Sequence, residues 1–280
     1  MNAELLVQPE TLAAHLDDPD WVVFDVRADL ADHAKGAAQY AAGHIPGAYH
    51  LDLERDLSTA KTGRNGRHPL PSMEAFAALM DARGVKPGTQ VVAYDESGNC
   101  YAVRLWWMLK WAGHDRVAVL DGGWPRWAKE GHPASTECTP LRKGAFVAKP
   151  VEAARVDAGY VERIRNDPAM KLIDARTAER FAGQNETLDP VGGHVPGAVN
   201  RFWQLNLDRG RFKSPEVLRS EFTQLLAGTD PAHAVHMCGS GVTACHNLFA
   251  MALAGFPMGR LYPGSWSEWC SDPARAVAKE

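Results

Sequence analysis

A chain of 280 residues, 45% hydrophobic and 23% charged, with a formal net charge of −4, has the size of one large domain or two ordinary ones. That balance offers neither a basic surface for nucleic acid nor a membrane-binding face, and no apolar run reaches the roughly 18 residues of a membrane span. Five cysteines without regular spacing exclude a disulfide framework and supply no zinc-ligand pattern, so a reducing cytoplasm is expected, with no metal and no cofactor.

In chain order, the first apolar run is Trp21-Val22-Val23-Phe24-Asp25-Val26-Arg27, a short strand that ends in an acidic–basic pair. The N-terminal residues before it lack the basic-then-apolar pattern of a signal peptide. Gly43-His44-Ile45-Pro46-Gly47-Ala48 follows, then a helical stretch at Met73–Arg83, a strand at Gln90–Asp95 and a second helical stretch at Val103–Ala112. Leu120-Asp121-Gly122-Gly123-Trp124-Pro125-Arg126-Trp127 closes this series.

The series then repeats. Lys171-Leu172-Ile173-Asp174-Ala175-Arg176, Gly193-His194-Val195-Pro196-Gly197-Ala198, the helical stretches Pro215–Ala227 and Ala244–Ala254, and Tyr262-Pro263-Gly264-Ser265-Trp266-Ser267-Glu268-Trp269 recur in the same order. Matched segments at nearly constant offset mark an internal duplication. Short β runs alternating with helices predict an α/β fold: two tandem units, each a mostly parallel sheet with helices on both faces. The expected boundaries are 1–132, a polar, proline-bearing linker at 133–150, and 151–280.

The copies differ at one loop. In the second unit the apolar run Ala234-Val235-His236-Met237 stops at Cys238, and Gly239-Ser240-Gly241-Val242-Thr243 leads into a helix that Gly255 closes. Glycines let such a loop turn its backbone N–H groups inward, and the helix start adds partial positive charge. A thiol in that cradle is expected to ionise below its free value of about 8.5 and to act as a nucleophile. The first unit has Asp95 at the equivalent place, a carboxylate that would repel an anion, so that copy is expected to be catalytically silent.

Paired D-x-R and G-H-[IV]-P-G-A segments, one cysteine loop and one aspartate loop together resemble the tandem-domain rhodanese-type sulfurtransferases. The loop Cys238–Thr243 is most similar to the mercaptopyruvate branch. The mitochondrial thiosulfate type usually carries Arg-Lys where this chain has Gly239 and Ser240. The resemblance implies a Cys238 persulfide, formed from 3-mercaptopyruvate or thiosulfate and discharged to cyanide or to a thiol such as thioredoxin. It implies that Gly239, Gly241, Val242 and Thr243 line the donor site and that Arg180 clamps the donor's anionic end. That branch usually adds a second arginine where this chain reads Asp189-Pro190-Val191. Arg64 or Arg67, in the loop Lys61–Leu70, is the candidate for the missing charge. His68 matches a histidine proposed to relay protons with Ser240 and an acid near Glu54.

Two other functions fit a cysteine loop less well. A phosphatase of the same superfamily needs C-x5-R, and Ala244 stands where its arginine would be. A non-catalytic binding or regulatory module is the remaining alternative, since this fold does not fix function. The repeated histidines His44 and His194, the Asp/Arg pairs and the tryptophans Trp106, Trp107, Trp111, Trp124, Trp127, Trp266 and Trp269 are read as structural. Cys245 is read as a small buried residue.

Overall fold

The computed structural model describes residues 4–280. The chain divides into two units: residues up to Thr59 with Leu70–Val151, and Ala60–Pro69 with Glu152–Glu280.

In the first unit, β1 (Leu6–Val7), α1 (Pro9–Ala13), β2 (Trp21–Asp25), α2 (Lys35–Ala42), β3 (Tyr49–His50), α3 (Met73–Asp81), β4 (Gln90–Tyr94), α4 (Ala102–Trp111), β5 (Val117–Leu120) and α5 (Gly123–Lys129) follow one another. The sheet order is β1-β5-β4-β2-β3 with every pairing parallel. A parallel sheet covered on both faces demands unbroken apolar strands, and β5 (Val-Ala-Val-Leu) is buried throughout. Val23, Val92, Ala118, Leu120 and Trp127 join in one core cluster. Ser72 starts α3 by accepting the Ala75 amide at 3.1 Å.

The second unit contains α6 (Ala158–Ile164), β6 (Lys171–Asp174), α7 (Ala178–Phe181), β7 (Val199–Asn200), the hairpin β8–β9 (Leu207–Asp208 and Arg211–Phe212), α8 (Pro215–Leu226), β10 (Ala234–Met237), α9 (Ala244–Leu253), β11 (Arg260–Leu261) and α10 (Ser265–Trp269). Its sheet, ordered β11-β10-β6-β7, is again parallel. Ser214 caps α8, with Pro215 at the first turn, where its missing N–H costs nothing. Thus each unit is the α/β sandwich that the alternating pattern predicts.

The duplication extends to individual contacts. Arg27 grips Asp25 with two nitrogens, donates to Gly43 O at 2.7 Å and lies 4.7 Å over the Trp124 ring. Arg176 does the same with Asp174, Gly193 O (2.7 Å) and Trp266 (4.7 Å). His44 stacks on Tyr40 and His194 on Phe181, with ring centroids 3.7 and 3.8 Å apart. Each histidine's main chain forms an antiparallel bridge to a later segment, Ser135 for His44 and Ala278 for His194. Trp127 Nε1 donates to Pro133 O and Trp269 Nε1 to Ala276 O. These pairs hold the fold together in both copies.

Those bridges revise the expected linker. Residues 133–150 are part of the first unit, pinned by Ser135 to His44, by the Lys149 amide to Ala112 O and by Gly144 to Asp81 O. The segment is polar because it runs over the surface, yet its backbone groups find partners. Conversely, the loop Ala60–Pro69 belongs by its contacts to the second unit.

Candidate active site

Cys238 follows the last residue of β10, at the carboxyl end of a parallel sheet, where open α/β folds place ligands. The chain must reverse there within a few residues to start α9. Gly241 makes the turn with φ of 78°, a left-handed conformation that only glycine takes without strain. A Cβ at that position would lie 2.3 Å from the Pro263 carbonyl oxygen. The result is the inward amide the sequence predicts: Gly241 N–H donates to Cys238 Sγ at 3.1 Å. The thiol is 1% exposed, deeper than a loop-mouth position suggests.

The other end of the loop is fixed from the β11–α10 turn. Ser265 Oγ accepts the Cys238 amide at 3.1 Å and donates to Tyr262 O at 2.9 Å. Trp266 and Ser267 donate their amides to the carbonyls of Cys238 and Gly239. Ser265 holds φ of 54°, costly for a residue with a Cβ, and the first unit has Gly123 at the corresponding place with φ of 56°. The serine's hydroxyl explains the difference, since it secures the nucleophile's own amide. Sequence reading missed Ser265; the signal was the Gly123/Ser265 mismatch in an otherwise matched repeat.

Two guanidiniums stand over Gly239. A Cβ there would lie 2.7 Å from Arg67 Nη2, displacing that guanidinium, and in contact with the Arg180 nitrogens at 3.5–3.6 Å. Arg67 is anchored by its amide on Ser267 Oγ at 3.0 Å, and its guanidinium binds Asp189 Oδ1. Arg180 takes Glu186 with two bonds, 3.0 and 2.9 Å, and reaches Asp189 Oδ2 at 3.3 Å. Arg176 Nη1 is 3.6 Å from Glu186. Burial is the largest influence on Glu186 and opposes its ionisation, but Arg180 together with the Leu188 and Asp189 amides outweighs it and holds the carboxyl below its usual range. For Asp189 burial wins over the pull of Arg67 and pushes the carboxyl up. Neither acid was identified from sequence, because their spacing resembles that of an ordinary polar loop.

His68 and Ser240 meet as expected: Nδ1 and Oγ are 2.7 Å apart and both residues are buried. Val242 is buried, and Thr243 precedes α9 as its N-cap residue. Arg64, by contrast, is exposed, with its amide on Thr62 Oγ1, so of the two candidate arginines Arg67 is the one at the loop. Glu54 lies in the first unit, its carboxylate 3.7 Å from His33 Nδ1. Cys245 is buried with Sγ 3.5 Å from Gly241 O. His236, behind the loop on β10, is fully buried with no hydrogen-bond partner on either ring nitrogen.

In the first unit the equivalent cradle is filled rather than repelling. Asp95 Oδ1 accepts the amides of Ser97 (2.7 Å) and Asn99 (2.8 Å), and Oδ2 those of Tyr101 (2.7 Å) and Ala102 (3.0 Å). The loop retains its inward N–H groups, and a side chain of the chain itself occupies them.

The chain matches the model of the rhodanese-like domain twice, over residues 8–130 and 157–272. A Pseudomonas aeruginosa protein named as a probable 3-mercaptopyruvate sulfurtransferase is 45% identical over 281 residues, covering 99% of both chains. The thiosulfate sulfurtransferase of Bos taurus is 36% identical over 240 residues, which is 82% of this chain and 78% of that one. The crystal structure of an Escherichia coli enzyme described as a 3-mercaptopyruvate sulfotransferase superimposes with a TM-score of 0.82 at 33% identity, covering 94% of this chain and 99% of that one.

Proposed function

The chain belongs to the rhodanese-like family of sulfurtransferases, and on that premise we propose that it transfers sulfur from 3-mercaptopyruvate through a persulfide on Cys238. The observation that carries this reading is the Gly241 amide directed at Sγ from 3.1 Å, beside a guanidinium pair on an uncharged loop. The Cys238 thiolate attacks the donor sulfur; the new S–S bond forms as the C–S bond breaks, and its electron pair leaves as the enolate of pyruvate. His68 and Ser240 pass a proton to the enolate carbon. The Gly241 N–H holds the charge that moves between the inner and outer sulfur, as an oxyanion-hole donor does.

Arg180 and Arg67 bind the donor carboxylate with charge-assisted bonds. Cyanide, or a thiol such as that of thioredoxin, then attacks the outer sulfur and returns the Cys238 thiolate. Thiosulfate is the second reading, favoured by the similarity to the Bos taurus enzyme. With five cysteines and no disulfide, the setting we assign is the reducing cytoplasm. Steady-state thiocyanate formation with each donor tests the proposal. Cys238→Ser must abolish turnover of both, and Arg180→Ala must raise KM for the preferred one. Turnover by Cys238→Ser near the wild-type rate would refute the covalent route.

A further inference from the structure

Resting on that reading, we infer that Asp189 is a selectivity residue: its carboxylate bridges the two donor-binding arginines and biases the site toward singly charged donors over doubly charged ones. The geometry is that of a bound substrate. One oxygen takes Arg67, the other reaches Arg180 at 3.3 Å, and the side chain is 3% exposed. A donor carboxylate straddling the same guanidiniums would compete for the same N–H groups. The segment is built for this position: Glu186 Oε1 accepts the Leu188 and Asp189 amides at 2.9 and 3.2 Å and so fixes the turn that presents Asp189.

The charges of this cluster balance once Arg176, which touches Glu186 and is paired with Asp174, is counted: Arg67, Arg176 and Arg180 stand against Asp174, Glu186 and Asp189. The loop itself adds none at Gly239 or Ser240. A site that binds a dianion would be expected to keep excess positive charge, whereas here two carboxylates already pair with the arginines. Mercaptopyruvate brings one charge to this pocket and thiosulfate two. Like charges brought together at close range in a partly desolvated site discriminate by rejecting the wrong ligand.

The test is Asp189→Asn, which keeps an acceptor for Arg67 and removes the charge. Initial rates of thiocyanate formation are measured over a range of each donor, and kcat/KM is compared as the thiosulfate-to-mercaptopyruvate ratio. The ratio should rise about tenfold to a hundredfold, mainly through a lower KM for thiosulfate. A residue that merely holds the arginines in place would, when changed, lower both donors together and leave the ratio within twofold; that result overturns the inference. If the Asn variant melts below the assay temperature, Asp189→Ser must shift the ratio in the same direction, and failure to do so counts against the inference equally. Wild-type turnover with an unmoved ratio refutes the role of Asp189 alone. Absence of wild-type turnover with both donors refutes the sulfurtransferase reading and this inference together.

Discussion

Replacing Gly241 by alanine tests the cradle directly. At φ of 78° a residue with a Cβ gives up about 1–2 kcal/mol. The new methyl would also sit 2.3 Å from Pro263 O and 2.9 Å from Pro263 C and Cα. These are backbone atoms of the turn that anchors the Cys238 amide through Ser265, so they cannot swing aside like a side-chain tip, and overpacking of this kind costs about 1–3 kcal/mol. The sum, about 2–5 kcal/mol, is relieved only by shifting the loop, which moves the Gly241 N–H off Sγ. Loss of one such donor lowers kcat by about 10²–10³-fold in comparable sites.

Gly239→Ala is the internal control. Its Cβ meets the ends of Arg67 and Arg180, which are flexible, so KM should rise about tenfold while kcat stays within a few-fold. Thiocyanate-release kinetics and thermal melts of both variants decide the matter. A Gly241→Ala enzyme with kcat within threefold of wild type, or two variants that behave alike, would refute the reasoning.

The remaining predictions concern other parts of the structure. His68→Ala and Ser240→Ala should each lower kcat about 10²-fold, and the double variant should be no worse than the poorer single one, because the 2.7 Å contact makes them one device; additive losses in single-turnover rates would separate their roles. Asp95→Asn should destabilise the first unit by about 2–4 kcal/mol, since the new amide group faces two N–H donors instead of accepting them; a denaturant midpoint unchanged from wild type would count against that accounting. Burial lowers the His236 pKa from 6.5 to about 3. The folded state therefore keeps the ring neutral while the unfolded chain takes up a proton below pH 6.5. Stability from this residue is full above that pH and falls by up to about 1.4 kcal/mol per unit between 6.5 and 3. His236→Leu should flatten that acid slope in urea titrations, and an unchanged slope would assign the acid sensitivity elsewhere.

Much of this architecture was readable in the chain before any coordinates. The strand at Gln90–Tyr94 and the helices at Met73–Asp81, Ala244–Leu253 and Pro215–Leu226 follow from apolar runs, helical spacing and a closing glycine, all local signals. The meeting of His68 with Ser240 was accessible through family resemblance, because its sequence separation leaves no periodicity to detect. The association of Ala60–Pro69 with the second unit rests on side-chain contacts of Arg67 and His68, and that of residues 133–150 with the first on backbone pairings such as His44 with Ser135, neither of which composition encodes. Glu186 and Asp189 escaped notice for a related reason. An acid in a loop looks solvated until a distant arginine, here Arg67, is known to arrive beside it. The exposure of Arg64 illustrates the same limit, since two arginines in one loop are indistinguishable until the turn at Gly66 sends them apart.

The carboxylate of Asp95 is, in effect, a ligand tethered to its own receptor. Its covalent attachment gives it an effective concentration that no dissolved anion in a cell can match, so the first unit's loop stays saturated whatever the metabolite supply. In the second unit the Gly241 N–H goes to the Cys238 Sγ, whereas in the first the amides of Ser97, Asn99, Tyr101 and Ala102 all grip the Asp95 carboxylate. Heat or denaturant should therefore loosen the Cys238 loop before its Asp95 counterpart, and saturating donor should narrow the gap between them.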